Sequence, residues 1–344
     1  MTLNTTLSSV FDPVDRSIID ALHRDGRAPW SRIAESVGVS AATVRRRYDN
    51  MHSRGLIRVI GATDVARLGL GTPVYLRFTN ALSDLNVLIQ RLQARTEVRF
   101  LTTLLGSVDV VAELVLPRSV DYPRMVSELT AGTNAHAESA LITHAFVSGQ
   151  AWMPPPDSGE LPDVLPMRGE PAPPVHLSQA EAKILGMLMH EGRASLAELA
   201  EAIERSENTA ARTIEHLKDN GLLDFRVLVE PRNLGLTTEA MVWMEIEPPL
   251  LKRAADSLAR QRSTKFLGST TGRFNLTAQI VLSDRSELFE YSTEVLGAVP
   301  GMRSVELSVQ LQTHKRVWTS ISNEEAYMSE GEPLDLLGFL QPSD

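Results

Sequence analysis

The chain has 344 residues, no cysteine, and 34 basic against 43 acidic residues for a net charge of −9 at neutral pH. These numbers exclude disulfides, thiolate nucleophiles and cysteine-ligated zinc, and no apolar run approaches the ~20 residues of a membrane span. The first 25 residues lack the basic-then-apolar layout of a secretory signal, so the expectation is a cytoplasmic chain of several domains with no membrane partner.

The chain repeats itself: residues from about Asp12 to Trp152 recur 166 positions later without a gap. Between Gly26 and Leu56, ten of 31 positions are identical at that offset, among them Gly26/Gly192, Arg27/Arg193, Ser40/Ser206, Thr43/Thr209, Arg46/Arg212 and Gly55/Gly221. The register holds through Leu68-Gly69-Leu70 and Leu234-Gly235-Leu236, and ends with Trp152 and Trp318. A fixed internal period of this kind marks one module duplicated and fused.

Each copy opens with three helical patterns. Asp12, with Pro13 behind it and Asp15 three residues on, and Ser178 with Glu181, start the first helix at matching positions. Its apolar stripe is Val14, Ile18, Ile19 and Leu22, mirrored by Ile184, Leu185 and Leu188. The second helix turns Trp30, Ile33, Ala34 and Val37 inward, or Leu196, Leu199, Ala200 and Ile203. Gly38-Val39-Ser40 then breaks and recaps the chain, and the third helix carries Val44, Tyr48 and Met51 inward until Gly55 closes it, as Gly221 does in the repeat. A tight turn between the second and third of three short helices is a helix-turn-helix.

The outward face of the third helix suits DNA. Ser40, Ala41, Ala42 and Thr43 allow close approach to a groove, and Arg45, Arg46, Arg47 and Arg54 supply guanidiniums for guanine edges and phosphates. The copies differ in charge: from Asp12 to Ile60 nine basic residues face six acidic ones, net +3, whereas Ser178 to Arg226 has six against nine, net −3. Phosphate neutralisation dominates DNA affinity. The first copy is therefore expected to read DNA and the second, with Asn208 and Arg212 flanked by Glu207 and Glu215, to be a weak or vestigial reader.

After Gly69 and Gly235 the pattern turns from helical to alternating. Strands are expected at 73–79, 98–104, 108–116 and 138–146 with helices at 82–95 and 118–131, and the repeat gives 239–247, 264–271, 274–282 and 302–312 with helices at 250–262 and 284–297. The order βαββαβ is a ferredoxin-like split sheet, with both helices on one face and the other face in need of cover that the second copy can provide. Eight prolines between Ala151 and Val175 mark an extended linker. The domain limits are thus 10–60, 70–150, the linker 151–175, 176–226, 236–320 and an acidic tail 323–344, whose apolar stretch from Leu334 to Leu340 reads as a fraying terminus, with docking on a neighbour as the alternative.

Taken as a set, Asp15-Arg16, Asp25-Gly26-Arg27, Ile33-Ala34-Glu35, Val37-Gly38-Val39-Ser40, Thr43-Val44-Arg45-Arg46-Arg47, Gly55-Leu56-Ile57 and Leu68-Gly69 resemble the Lrp/AsnC (feast/famine) transcriptional regulators, here in a tandem form. The resemblance covers nearly the whole chain in two copies. It implies an α+β protein in which helix-turn-helix domains are followed by ferredoxin-like αβ-sandwich (RAM) domains that pair sheet to sheet. It further implies double-stranded DNA as partner, a homodimer or higher oligomer, no cofactor or metal, and small effectors, often amino acids, held near the turn between the second and third strands of each sandwich. The family's Gly-x-x-Asp turn falls on Gly106-Ser107-Val108-Asp109 and Gly272-Arg273-Phe274-Asn275. Asp109 would take an ammonium group and Thr271 or backbone amides a carboxylate, while Asn275 departs from the acid; the alternative is a hairpin whose Asp or Asn only caps the turn.

An enzyme reading is also available, because sirohaem decarboxylases resemble the same family and occur as fused pairs. Their Asn-His-Arg stretch has no counterpart in Thr63–Arg67 or Val229–Asn233, neither of which contains histidine. A third alternative is an effector sensor without DNA binding, which the arginine triplet opposes.

Overall fold

The computed structural model describes residues 10–65, 67–149, 152, 175–322, 326–328 and 333–337. The proline-rich linker, apart from Trp152 and Val175, lies outside them, as does the tail beyond Leu337.

Three helices, α1 (Pro13–Arg24), α2 (Trp30–Val37) and α3 (Ala41–Ser53), precede strand β1 (Ile57–Ala62). The first sheet module comes next as β2 (Thr72–Thr79), α4 (Leu85–Gln93) after one 3-10 turn, β3 (Val98–Leu105), β4 (Val110–Leu116), α5 (Tyr122–Thr130) and β5 (His136–Val147). The second copy repeats the order with α6 (Gln179–His190), α7 (Leu196–Ala202), α8 (Glu207–Asp219), β6 (Asp224–Val229), β7 (Thr238–Ile246), α9 (Leu251–Ala259), β8 (Thr264–Thr270), β9 (Leu276–Leu282), α10 (Glu287–Glu290) running into a π-helical turn at Tyr291–Leu296, and β10 (Met302–Arg316). A two-residue strand, β11 (Thr319–Ser320), ends the series.

Capping explains where the helices begin. Asp12 and Asp15 form a reciprocal capping box on α1, as Ser178 and Glu181 do on α6. Ser40 and Ser206 accept from the amides of Thr43 and Thr209 to start α3 and α8 alike. Gly38 ends α2 at φ 78°, and its repeat partner Glu204 holds a positive φ of 55° without being glycine. That conformation costs a residue with a Cβ about 1–2 kcal/mol, so the second copy keeps the turn geometry after losing the residue that favours it.

Each module's sheet has the order β3-β4-β2-β5 or β8-β9-β7-β10, and the edges join: β5 pairs with β8 and β10 with β3. Because β10 also pairs with β7, the pairings of eight strands form a closed ring, in which β5 and β10 each bond their own module through their first half and the other module through their second. The two-residue period sorts the side chains. Leu76 and Phe78 of β2 pack outward under α4 and α5, while Tyr75 shares the interior cluster between the two half-sheets with Met241, Trp243, Phe266 and Phe274. Buried Arg77 lies 4.6 Å from the Trp243 ring centroid and 5.1 Å from that of Phe274, with Glu138 at 3.1 Å and Glu306 at 2.8 Å. The face that needed cover is thus covered by the second copy.

The helical heads are exchanged as well. Strands β1 and β6 pair antiparallel, Ile57 opposite Val229 and Ala62 opposite Asp224. Val227 and Val229 enter the core of the first head and Leu234 packs against it, whereas Leu68 and Leu70 enter the core of the second. Neither head is complete without residues of the other copy. Leu336 is 1% exposed in the second head's core, with Leu334 and Leu337 against it. This corrects the expectation of a fraying terminus: an apolar stretch that has a groove to fill is anchored by the area it buries.

Candidate nucleic-acid interface

Helix α3 is anchored through Val44, Tyr48 and Met51, all buried in the first head. Residues 45 and 46 come next at about 100° per position and point away from that core. Ala42, Arg45, Arg46 and Arg54 are exposed. Arg45 stands 3.7 Å from Asp49 one turn on, an exposed pair that contributes little and leaves the guanidinium available. Ser40 and Thr43 bond to one another at 2.9 Å, and Ala41 packs on the head's core, so these three build the turn that presents the helix.

Arg47 is placed differently from its neighbours. Its Nη1 meets Asp12 at 2.7 Å and Asp15 at 2.8 Å, and the two carboxylates hold its pKa above the ordinary arginine value while Asp12, bonded by the Asp15 amide and by Arg47, is held below its own. Arg47 thus ties α3 to the cap of α1, and Arg45 and Arg46 are the exposed members of the triplet.

In the second head Asn208 and Arg212 are exposed on α8, as are Glu207 and Glu215, the latter 3.3 Å from Lys218. The caps and the buried face, with Ala210, Ile214 and Leu217, match those of α3. Only the outward chemistry has changed.

A reciprocal arginine clasp fixes the heads together. Arg27 donates to the carbonyls of Gly192 at 2.8 Å and Ala194 at 3.0 Å, and Arg193 to those of Gly26 at 2.6 Å and Ala28 at 3.1 Å. Arg193 also lies 3.6 Å from the Trp30 ring centroid, a cation–π contact out of solvent. His52 joins Glu191 at 2.9 Å; burial opposes the charge of Glu191, but the His52 and Arg193 amide hydrogen bonds outweigh it and hold the carboxyl below its ordinary pKa. Sequence reading did not assign the clasp, although its signal was present: both arginines survive in a turn that would otherwise be free to vary.

Residues 11–52 match the AsnC-type helix-turn-helix domain, and residues 177–224 match a winged helix-turn-helix DNA-binding domain. The regulator AldR of Mycolicibacterium smegmatis is 30% identical over 121 residues, which cover 71% of AldR and 34% of this chain. This chain belongs to the Lrp/AsnC family of DNA-binding helix-turn-helix transcriptional regulators. The regulator FL11 of Pyrococcus horikoshii is 25% identical over 142 residues, 93% of its length and 41% of this chain, so such relatives have about the length of one copy. Over nearly the full length the fold is similar to that of the sirohaem decarboxylase NirDL, with a TM-score of 0.63, 14% identity, and 94% of this chain and 96% of that one covered. At that identity the likeness concerns the fold alone. No helix among the described residues is long and apolar enough to cross a membrane.

The candidate effector residues of this regulator lie at two equivalent turns. Asp109 accepts the Ala81 amide at 2.8 Å, and its own amide donates to the Phe78 carbonyl at 2.9 Å. Asn275 accepts the Ile246 amide at 2.9 Å and donates to the Ile246 carbonyl at 2.8 Å. Both side chains accept from an amide at the end of the first strand of their module, and Asn275 alone also donates there. Thr271 accepts the Leu141 amide at 2.9 Å through its hydroxyl. Gly106 lies so close to Ser308 of β10 that a Cβ would overlap it, whereas Gly272, at φ 94°, has open space beside it. Of these five residues, Thr271 and Gly106 meet the other copy, at Leu141 and Ser308, whereas Asp109 and Asn275 bond within their own module.

Proposed function

We propose that this regulator reads its operator through the first head and that the second head serves mainly to hold the first in place. The observation that carries this reading is the contrast between α3 and α8 on one shared backbone. Arg45 and Arg46 stand exposed on a head of net +3, and Glu207 and Glu215 stand exposed on a head of net −3. Acidic side chains on a reading face repel the phosphates that dominate affinity. Because one chain already contains the two copies, a homodimer of chains would present two strong and two weak readers, and its two-fold symmetry would favour a pseudo-palindromic operator.

The test is fluorescence anisotropy with a duplex from the DNA upstream of the protein's own coding sequence, at two salt concentrations. Wild type should bind with a steep salt dependence, and the Arg45→Ala/Arg46→Ala double variant should not. Equal binding by both would refute the reading.

The regulatory input, on this reading, is an amino acid or related small molecule at the two equivalent turns. Asp109 and Thr271 are engaged in backbone hydrogen bonds, so a ligand there would meet backbone groups beside Gly272 as well as side chains. Titration calorimetry with amino acids on wild type and Asp109→Ala checks this: heat from wild type that the variant loses supports the role of Asp109, and no heat from any amino acid refutes an amino-acid input.

The fold likeness to NirDL is the one observation that favours catalysis. Against it, neither Thr63–Arg67 nor Val229–Asn233 holds a histidine, and we infer that the chain has no enzymatic activity. A Soret band retained after incubation with sirohaem and gel filtration would reopen the question.

A further inference from the structure

Arg316, the last residue of β10, is followed by Val317 at φ 49° and Trp318 at φ 62° before Thr319 pairs back to it. A two-residue hairpin with both central residues at positive φ is the geometry that Asn-Gly or Gly-Gly fills without strain, and a β-branched valine there is held only by its surroundings. The surroundings are specific: the Trp318 amide donates to Arg99 and its indole to Thr96, each at 3.0 Å. Arg316 and Val317 also form part of the wall of a recess at the barrel's end, with Tyr75, Arg99 and Glu113.

The segment beyond this hairpin touches the barrel and both heads. Tyr327 is buried, and its hydroxyl donates to Glu230 at 2.5 Å. Arg316 grips the same carboxylate at 2.9 and 3.1 Å and reaches Glu239 at 3.2 Å, which in turn holds Lys265 at 2.9 Å. Tyr327 also donates its amide to the Gly55 carbonyl at 2.8 Å, and Arg58 of β1 donates to the Met328 carbonyl at 2.6 Å. Gly55, which closes α3 at φ 66°, would place a Cβ 2.5 Å from the Tyr327 carbonyl oxygen. Leu336 then sits in the core of the second head, where a Cβ on Gly186 would overlap the Leu334 carbonyl. Arg45 and Arg46 stay exposed, so these contacts do not plug the reading face.

We propose that the described residues 316–322, 326–328 and 333–337 act as a strap that fixes the disposition of the two heads on the barrel, with the strained Val317–Trp318 hairpin as the joint through which a shift of the barrel wall reaches α3. The buried ions join barrel to strap, Gly55 and Arg58 join strap to the first head, and Leu336 joins it to the second.

The absence of cysteine allows paired spin labels at Glu35→Cys and Glu290→Cys, exposed sites on the first head and the barrel. Double electron–electron resonance on the full chain should give one narrow distance distribution. With Leu336→Asp added it should broaden, and amide hydrogen exchange over residues 333–337 should be faster than in the parent. Tyr327→Phe, which removes one hydroxyl, should broaden it less. An unchanged width in a Leu336→Asp protein whose residues 333–337 exchange faster would overturn the proposal, as would an unchanged width in Tyr327→Phe should Leu336→Asp not fold. The affinity arm rests on DNA reading by the first head: relative to the parent, Leu336→Asp should lose about tenfold, ~1.4 kcal/mol, with the salt slope kept. Broadened distances with affinity within twofold of the parent would overturn the coupling, and if the parent binds no DNA, the distance arm alone decides.

Discussion

The two helix-turn-helix heads have matching starts to their first and third helices, matching buried faces and a reciprocal clasp, yet α3 and α8 carry opposite outward chemistry. Positions that pack are tied down from both sides: Arg27 and Arg193 each bond two carbonyls of the other head, so change at either turn disturbs both. Positions that face solvent on α8 have no such tie, and there Ala41, Ala42 and Arg45 are matched by Glu207, Asn208 and Ala211. The packed positions of a duplicated head are thus held by the other copy, while its outward positions are free to change.

The largest expected effect breaks the shared part. Arg193→Ala removes two charge-assisted hydrogen bonds and the Trp30 stack, and should cost about 3 kcal/mol, measured by urea unfolding. A loss below about 0.5 kcal/mol would mean that the heads do not depend on the clasp. A smaller change sharpens the contrast: Glu204→Gly relieves the positive φ of the second head and should stabilise it by about 1 kcal/mol, whereas Gly38→Ala, the equivalent site in the first head, should destabilise it by a similar amount. Equal signs at the two sites would sink the argument.

The third difference is in titration, because all five lysines lie in the second copy. Burial lowers Lys265, helped by Arg316, and lowers Lys315, each to about 8. Between about pH 8 and the ordinary lysine value of about 10.4, the unfolded chain therefore holds more protons than the folded one, so stability should rise with pH in that window. Buried Tyr75 and Tyr327, raised well above their ordinary value, reverse the sign above about pH 10. Lys315→Met should flatten the rise and Lys183→Met, at an exposed site, should not. A stability that falls steadily from pH 8 would contradict the assignment.

Much of this was legible in the sequence, and what was not has physical reasons. The helical cores were readable because Val44, Tyr48 and Met51 recur at helical spacing, and the first-helix caps because Asp12 and Ser178 precede acids by three. Strands β1 and β6 were missed because their partners lie about 170 residues apart and each is only six residues long; pairing at that distance leaves no local signal. The exchange of Leu68 and Leu234 between heads is hidden for the same reason. Arg47 was grouped with Arg45 and Arg46 as a triplet, although a step of 100° brings it back beside the buried row, within reach of Asp12 and Asp15. Tail docking was open to either reading, since an apolar stretch does not reveal whether a groove exists to receive it.

The most direct test of the central claim is a side-by-side anisotropy titration of Arg46→Ala and Arg212→Ala, the two members of one repeat pair, on the same upstream duplex at fixed salt. The account predicts that Arg46→Ala weakens binding by tenfold or more, from the loss of about 1–3 kcal/mol of base or phosphate contact, while Arg212→Ala stays within twofold of wild type. Equal losses at the two sites would show that both heads read DNA and would contradict the division of labour.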